Sequence, residues 1–220
     1  MKTPRALLFF IITIATLAGC KKKADLLVIT PPVHTPKYFP LKPGSYWIYR
    51  RAWKDTTGAD VANNPIEFDS CYVEKDTIID FVKYAKFYSV NVYGSAQVLY
   101  LKDSFGYIIS NWNYVFLTDI RSPQILPPFF EGYSDSDTMY KVTTQIYADL
   151  APISTPAGFF MARDISSTFN FLPWRQSSFE GRSYHTYYAD SVGLVLQQGI
   201  GYMDGPPYYS EHRLVRYHVQ

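Results

Sequence analysis

Cysteine is nearly absent from this chain. Only Cys20 and Cys71 occur among 220 residues, and with Cys20 assigned below to another purpose no disulfide framework remains. Cys71 stands among Asp69, Ser70, Tyr72 and Glu74, without a cation or base to depress its pKa, and reads as a buried thiol rather than a nucleophile. Histidine is equally sparse. His34, His185, His212 and His218 show no spacing that assembles a metal site, which needs at least a third ligand. His212, Arg216 and His218 share the parity of a terminal strand, read here as a solvated face. No phosphate loop, nucleophile elbow or zinc-protease helix motif occurs, and Gly199-Ile200-Gly201 is not a dinucleotide fingerprint. No metal and no cofactor are therefore expected. Charged residues make up 18% of the chain, with a formal net charge of +2. Without a clustered basic face, nucleic acid is not expected as a partner.

What is present begins with a leader. Lys2 and Arg5 precede the apolar run Ala6 to Ala18, which ends in Leu17-Ala18-Gly19-Cys20. This is the charged region, short apolar region and small-residue cleavage site of an export signal, shorter than the roughly 20 residues of a membrane-spanning helix. The closing tetrapeptide resembles the lipobox of bacterial lipoproteins. That resemblance implies a mature chain starting at Cys20, with a diacylglyceryl thioether on the sulfur and an acylated amino terminus. At about 0.8 kcal/mol per buried methylene, two or three chains hold a protein on a membrane where one would do so only reversibly. Loss of residues 1–19 lowers the formal charge from +2 to zero. Lys21, Lys22 and Lys23 sit beside the lipid, each able to gain about 1 kcal/mol from anionic headgroups. Lys21 directly after the cysteine, rather than aspartate, resembles lipoproteins released to the outer membrane, and the periplasmic face is favoured over the cell surface. Pro31, Pro32, Pro36 and Pro40 make 20–40 an extended tether, although Leu26 to Ile29 could dock as a first strand. Residues 41–220 are left as one domain.

No segment of that domain sustains a helical period. Apolar and polar residues alternate instead, most clearly in Tyr140, Val142, Thr144 and Ile146 against Lys141, Thr143 and Gln145. The same reading covers 45–54, 66–80, 83–93, 97–102, 106–110, 114–119, 136–148, 158–166, 184–198 and 208–219. Twenty tyrosines suit pleated, half-wet surfaces. The fold class is mostly β: an antiparallel curved sheet, as a half-barrel, barrel or sandwich, with few short helices.

Four stretches are similar to a family of uncharacterised bacterial lipoproteins: YFPLKPGSYWIY at 38–49, TPAGFFMARDI at 155–165, TYYADSVGLV at 186–195 and RLVRY at 213–217. That family opens on a P-L-x-x-G-x-x-W box and closes near a Y-A-x-G-V-G-x-V hairpin. Its motifs are structural. Gly44 permits a tight turn before a strand on which Trp47, Tyr49 and Trp53 share a face. Phe159, Met161 and Ile165 fall on one side of another. Gly193 suggests a bulge or close backbone approach, with Val192, Leu194 and Leu196 towards the core. Ser191 stands where the family has glycine.

Two long aromatic connections, 121–137 and 167–183, break the rhythm of short turns. Phe129, Phe130, Tyr133, Phe171, Trp174 and Arg175 are the candidate ligand-binding residues, a lip over an open barrel end unless they cap the core, the blander and favoured reading of such rings. The expected function is noncatalytic binding of an apolar ligand or an envelope protein. A surface glycan-binding role through Trp174, Phe171 or Trp112 is the alternative, and a hydrolase using acids such as Asp164, Glu180 or Asp190 ranks below both. Mass spectrometry of the exported protein should find Cys20 acylated. Cys20→Ser should release the chain from membranes, and a bare thiol in the exported wild type would refute the assignment.

Overall fold

Period-two alternation, with branched and aromatic residues on the inward parity, produces strands throughout the body of the chain. A computed structural model describes residues 38–104, 107–113, 115–118, 124–125, 129–132, 138–171, 183–200 and 208–220, all within the unit Val33–Gln220. The strands are β1 (Tyr46–Lys54), β2 (Glu67–Ile79), β3 (Val82–Val90), β4 (Ala96–Ser104), β5 (Tyr107–Ser110), β6 (Val115–Thr118), β7 (Gln124–Ile125), β8 (Phe129–Gly132), β9 (Thr138–Thr155), β10 (Gly158–Phe171), β11 (Ser183–Ala189), β12 (Gly193–Ile200) and β13 (Tyr209–His218). Among the described residues there is no helix.

These strands form one antiparallel sheet in the order β6-β5-β4-β3-β2-β1-β13-β12-β11-β10-β9-β7, with β8 also on β9. Most neighbours are consecutive in the chain; β1 against β13 joins its two ends, from Tyr46↔His218 to Lys54↔Tyr209. A twisted sheet of this many strands must curl. It does so into a half-barrel, and Leu117 of β6 meets the same core as Ala162 of β10 and Tyr188 of β11. Phe39 fills the trough. Its ring lies 5.3 Å from Phe87, 6.1 Å from Trp47 and 6.2 Å from Tyr188. Tyr38 and Phe39, placed in the tether by their neighbouring prolines, are thus buried parts of the domain.

Trp47 is 2% exposed and donates its indole N–H to the Val192 carbonyl, tying β1 to the β11–β12 turn. In that turn Ser191 takes φ 60° and Gly193 φ 101°, so serine adopts the left-handed geometry expected of glycine. A Cβ on Gly193 would come within 3.3 Å of the Trp47 indole nitrogen, which is the close approach expected there.

Bulges correct several expectations about faces. Opposite Ile48 and Tyr49 the partners on β13 jump from Arg216 to Leu214, so Val215 is an extra residue and parity inverts across it. His212 therefore does not share a face with His218 and Arg216. It points inward and is 1% exposed, while His218 is exposed and stacks on Tyr46. Opposite Tyr187 and Tyr188 the partners jump from Leu196 to Leu194, and the extra residue, Val195, is fully buried as well, while Leu196 stays buried and Val192 and Leu194 pack against the core as expected. The β9–β10 hairpin also outruns the expected strands. Its tip returns to β13, where Ala157 N–H donates to the Leu214 carbonyl at 3.3 Å and Arg213 donates to the Ser154 carbonyl at 2.6 Å. Phe160 packs against the core, whereas Phe159 and Met161 face solvent.

Trp47→Ala removes a buried ring and its hydrogen bond. It should cost about 3–5 kcal/mol, read as a lower urea midpoint with unchanged slope; a loss under 1 kcal/mol would contradict this packing.

Candidate functional site

The concave side of the sheet carries two distinct regions. At one mouth, strand register aligns Asp76 of β2, Ala85 of β3 and Leu101 of β4 in a row across the inner face. The segment Pro40–Pro43 and the C-terminal Val219 close the other side, leaving a groove of about 530 Å³. Its walls are mainly apolar, through Pro40, Leu41, Ala85, Leu101 and Val219, and Lys42, Asp76 and Lys83 bring charge to it. Asp76 and Lys83 pair at 2.6 Å, and the Lys102 ammonium sits 5.3 Å from the centre of the Tyr84 ring. A mostly apolar, open groove with a few charges suits an amphipathic occupant.

Deeper along the trough lies a buried polar cluster. Tyr49 and Arg51 of β1, Asp69 of β2 and His212 of β13 meet because Tyr49 faces Asp69 and Arg51 faces His212 across the ladders. Asp69 Oδ2 accepts from Arg51 Nε at 2.8 Å and from His212 Nε2 at 2.7 Å. The Arg51 guanidinium also pairs with Glu67. Tyr49 stacks on the His212 imidazole, centroids 5.6 Å apart and planes within 11°, and donates its hydroxyl proton to the Leu194 carbonyl at 3.0 Å. The turn after β3 closes over Arg51. Gly94 has φ 88°, a conformation strained for other residues, and a Cβ there would lie 2.5 Å from a guanidinium nitrogen, so a side chain at this position would push Arg51 aside. Beside the cluster is a small hollow of about 120 Å³, lined in part by Cys71, Ser89 and Gln197.

Burial sets the protonation states. It lowers the pKa of His212 below its ordinary value despite the opposing pull of Asp69, and it raises Tyr49 well above the usual phenol value. Cys71 is raised too, mainly by desolvation. Its sulfur accepts the Val90 N–H at 3.3 Å, so the thiol is the core residue expected from its neighbours. A second histidine pair lies on β10 and β11, where His185 Nδ1 meets both Asp164 oxygens at 2.9 Å. The carboxylate raises the pKa of that half-exposed histidine.

Of the residues singled out in the sequence, Cys20, Tyr133, Trp174 and Arg175 lie outside the described residues. Phe129 and Phe130 are in β8 and Phe171 ends β10. Their backbones flank the same stretch of β9, with Phe129↔Val142, Phe130↔Lys141 and Phe171↔Tyr140. The long connections are therefore partly strand. Trp112, in the β5–β6 turn, is 77% exposed. Sequence reasoning missed both the groove and the Asp69 cluster. One signal was available: Asp69 shares strand parity with Cys71 and Val73, and Arg51 with Trp47 and Tyr49, so opposite charges stand on two inward faces.

No protein-family model matches the chain, and no curated protein matches it. Two crystal structures are similar in outline. One is a candidate exported protein with a YmcC-like fold from Bacteroides fragilis, 14% identical, with a TM-score of 0.43 over 84% of this chain and all of that one. The other is a candidate lipoprotein from Parabacteroides distasonis, 14% identical, with a TM-score of 0.41 over the same shares.

The two histidine pairs make opposite contributions to stability. His212, with a lowered folded pKa, contributes stability that is present above the ordinary value near ~6.5 and lost as pH falls through the folded value. His185, with a raised one, contributes stability present below ~6.5 and lost as pH rises through its folded value. In urea titrations between pH 5 and 8, His212→Gln should flatten the acid-side decline and His185→Gln the alkaline-side decline. Unchanged pH profiles would show that neither pair holds the assigned protonation state.

Proposed function

We propose that this protein is a noncatalytic binding lipoprotein of the bacterial cell envelope, acylated at Cys20 and held at the periplasmic face of the outer membrane. The leader and its terminal Leu17-Ala18-Gly19-Cys20 support the anchor. The binding role is carried by the groove of about 530 Å³ at the mouth of the half-barrel. Its occupant in this reading is an amphipathic molecule with an acyl-like body. The body would lie against Leu41, Ala85, Leu101 and Val219, and a polar head would meet Lys42 or Lys83. The two histidine–carboxylate pairs have structural roles here: one is sealed under Tyr49, and the other bridges adjacent strands on the sheet surface.

A fluorescent fatty acid is the direct probe. It should bind the wild type saturably, and Ala85→Trp, which projects a ring into the groove, should weaken it by about tenfold, equivalent to about 1.4 kcal/mol. Lys83→Ala should give a smaller loss that disappears with an uncharged acyl probe. No saturable binding, or binding indifferent to Ala85→Trp, would overturn the apolar-ligand reading.

The exposure of Trp112 favours a second reading, a glycan-binding surface. In that case an oligosaccharide array should retain the wild type but not Trp112→Ala, with the fatty-acid probe unaffected.

A further inference from the structure

We propose that the β2–β3 hairpin tip is a membrane-contacting element that dips into the headgroup layer of the bilayer to which the chain is tethered. The tip is a two-residue turn, Asp80-Phe81, in which both residues have positive φ, 48° and 64°. Such mirror-image turns favour Asn or Asp followed by Gly, and a bulky residue in this conformation is an outlier. Phe81 makes no compensating contact with the fold, because it is fully exposed. Beside it Ile78 is 74% exposed and Val82 37%. An unfavourable backbone conformation retained to display an apolar ring to solvent points to use of that ring outside the fold.

The location of the tip selects the partner. Asp76 and Lys83, four and two residues inward from it on β2 and β3, line the same groove as Pro40–Pro43, the segment through which the chain enters the domain from Cys20. Seventeen residues lie between Cys20 and Tyr38, so the anchor can stand no further off than about 65 Å at full extension. A short tether turns a weak surface contact into an effectively intramolecular one. Behind the apolar tip stand Lys83, its charge offset by Asp76, and Lys42, whose stem can run along the apolar wall while its ammonium reaches phosphates. Asp80 is the tip's own carboxylate and limits insertion to the headgroup level. The inference rests on the envelope reading only for the nearness of a bilayer, and it requires no ligand in the groove.

The test separates the two readings by supplying the anchor chemically. The chain from residue 20 onward is coupled through the Cys20 thiol to a maleimide lipid in vesicles of phosphatidylethanolamine and phosphatidylglycerol. Phe81→Trp adds a fifth tryptophan to the native four. Its emission, taken as the difference from wild type, should be blue-shifted and at least halved by brominated acyl chains. Phe81→Gly supplies the residue the turn favours. It should raise the thermal midpoint by roughly 2–4 °C while lowering hydrogen-exchange protection of residues 78–82 on vesicles severalfold. An added tryptophan that stays aqueous and unquenched, or tip protection unchanged in Phe81→Gly, would overturn the proposal while leaving acylation of Cys20 to stand or fall on the mass of the exported protein.

Discussion

The ladder between β1 and β13 is the constraint on which the rest of the structure depends. It joins Tyr46 to His218 and Lys54 to Tyr209, so the two ends of the domain lie at the middle of the sheet. On one side β2 to β6 follow in chain order, and on the other β12 to β9 do so, with β7 and β8 both paired to β9. Without this ladder each meander would expose an apolar face, because residues such as Val73 and Phe87 share their core with Val195 and Tyr188. The ladder is also the most distant pairing in sequence, and its closure entropy must be met before the core rewards it. Two clasps secure it: the Trp47 indole bonded to Val192, and the Gln220 amide donating to the Ser45 hydroxyl at 3.2 Å.

The strands were legible because alternation is a local property. The span 45–54 expected for the first strand became Tyr46–Lys54, and 208–219 became Tyr209–His218. Which face each residue takes was legible only up to the first bulge. A single extra residue at Val215 turned His212 inward, and another at Val195 added a buried residue to β12 beside the expected Leu196. Bulges are set by tertiary fit, with no composition of their own in these strands. The tether boundary failed for a similar reason. Four prolines argue against regular structure but not against burial, and Phe39 is as much a member of the core as the strand residues it touches.

The concave face illustrates how a site escapes sequence reading. The groove draws on Pro40–Pro43, three strands and the C-terminal Val219, segments that no local pattern connects. Its charges are ordinary surface lysines and aspartates until the curl brings them to one mouth. The Asp69 cluster is different in kind. There the low-dielectric trough forces a carboxylate to gather every available donor, Arg51 Nε and His212 Nε2, and a glycine turn seals the guanidinium from above. Such a cluster fixes the register of three strands at once.

The outermost described strands of the sheet are very short. β6 has four residues and β7 two, so neither offers a run of unpaired amides long enough to seed cross-molecular growth. At the β6 rim strand addition is therefore blunted, a safeguard that an open half-barrel, unlike a closed cylinder, has to build in, whereas at the other rim β7 and β8 cover only the 138–146 half of β9.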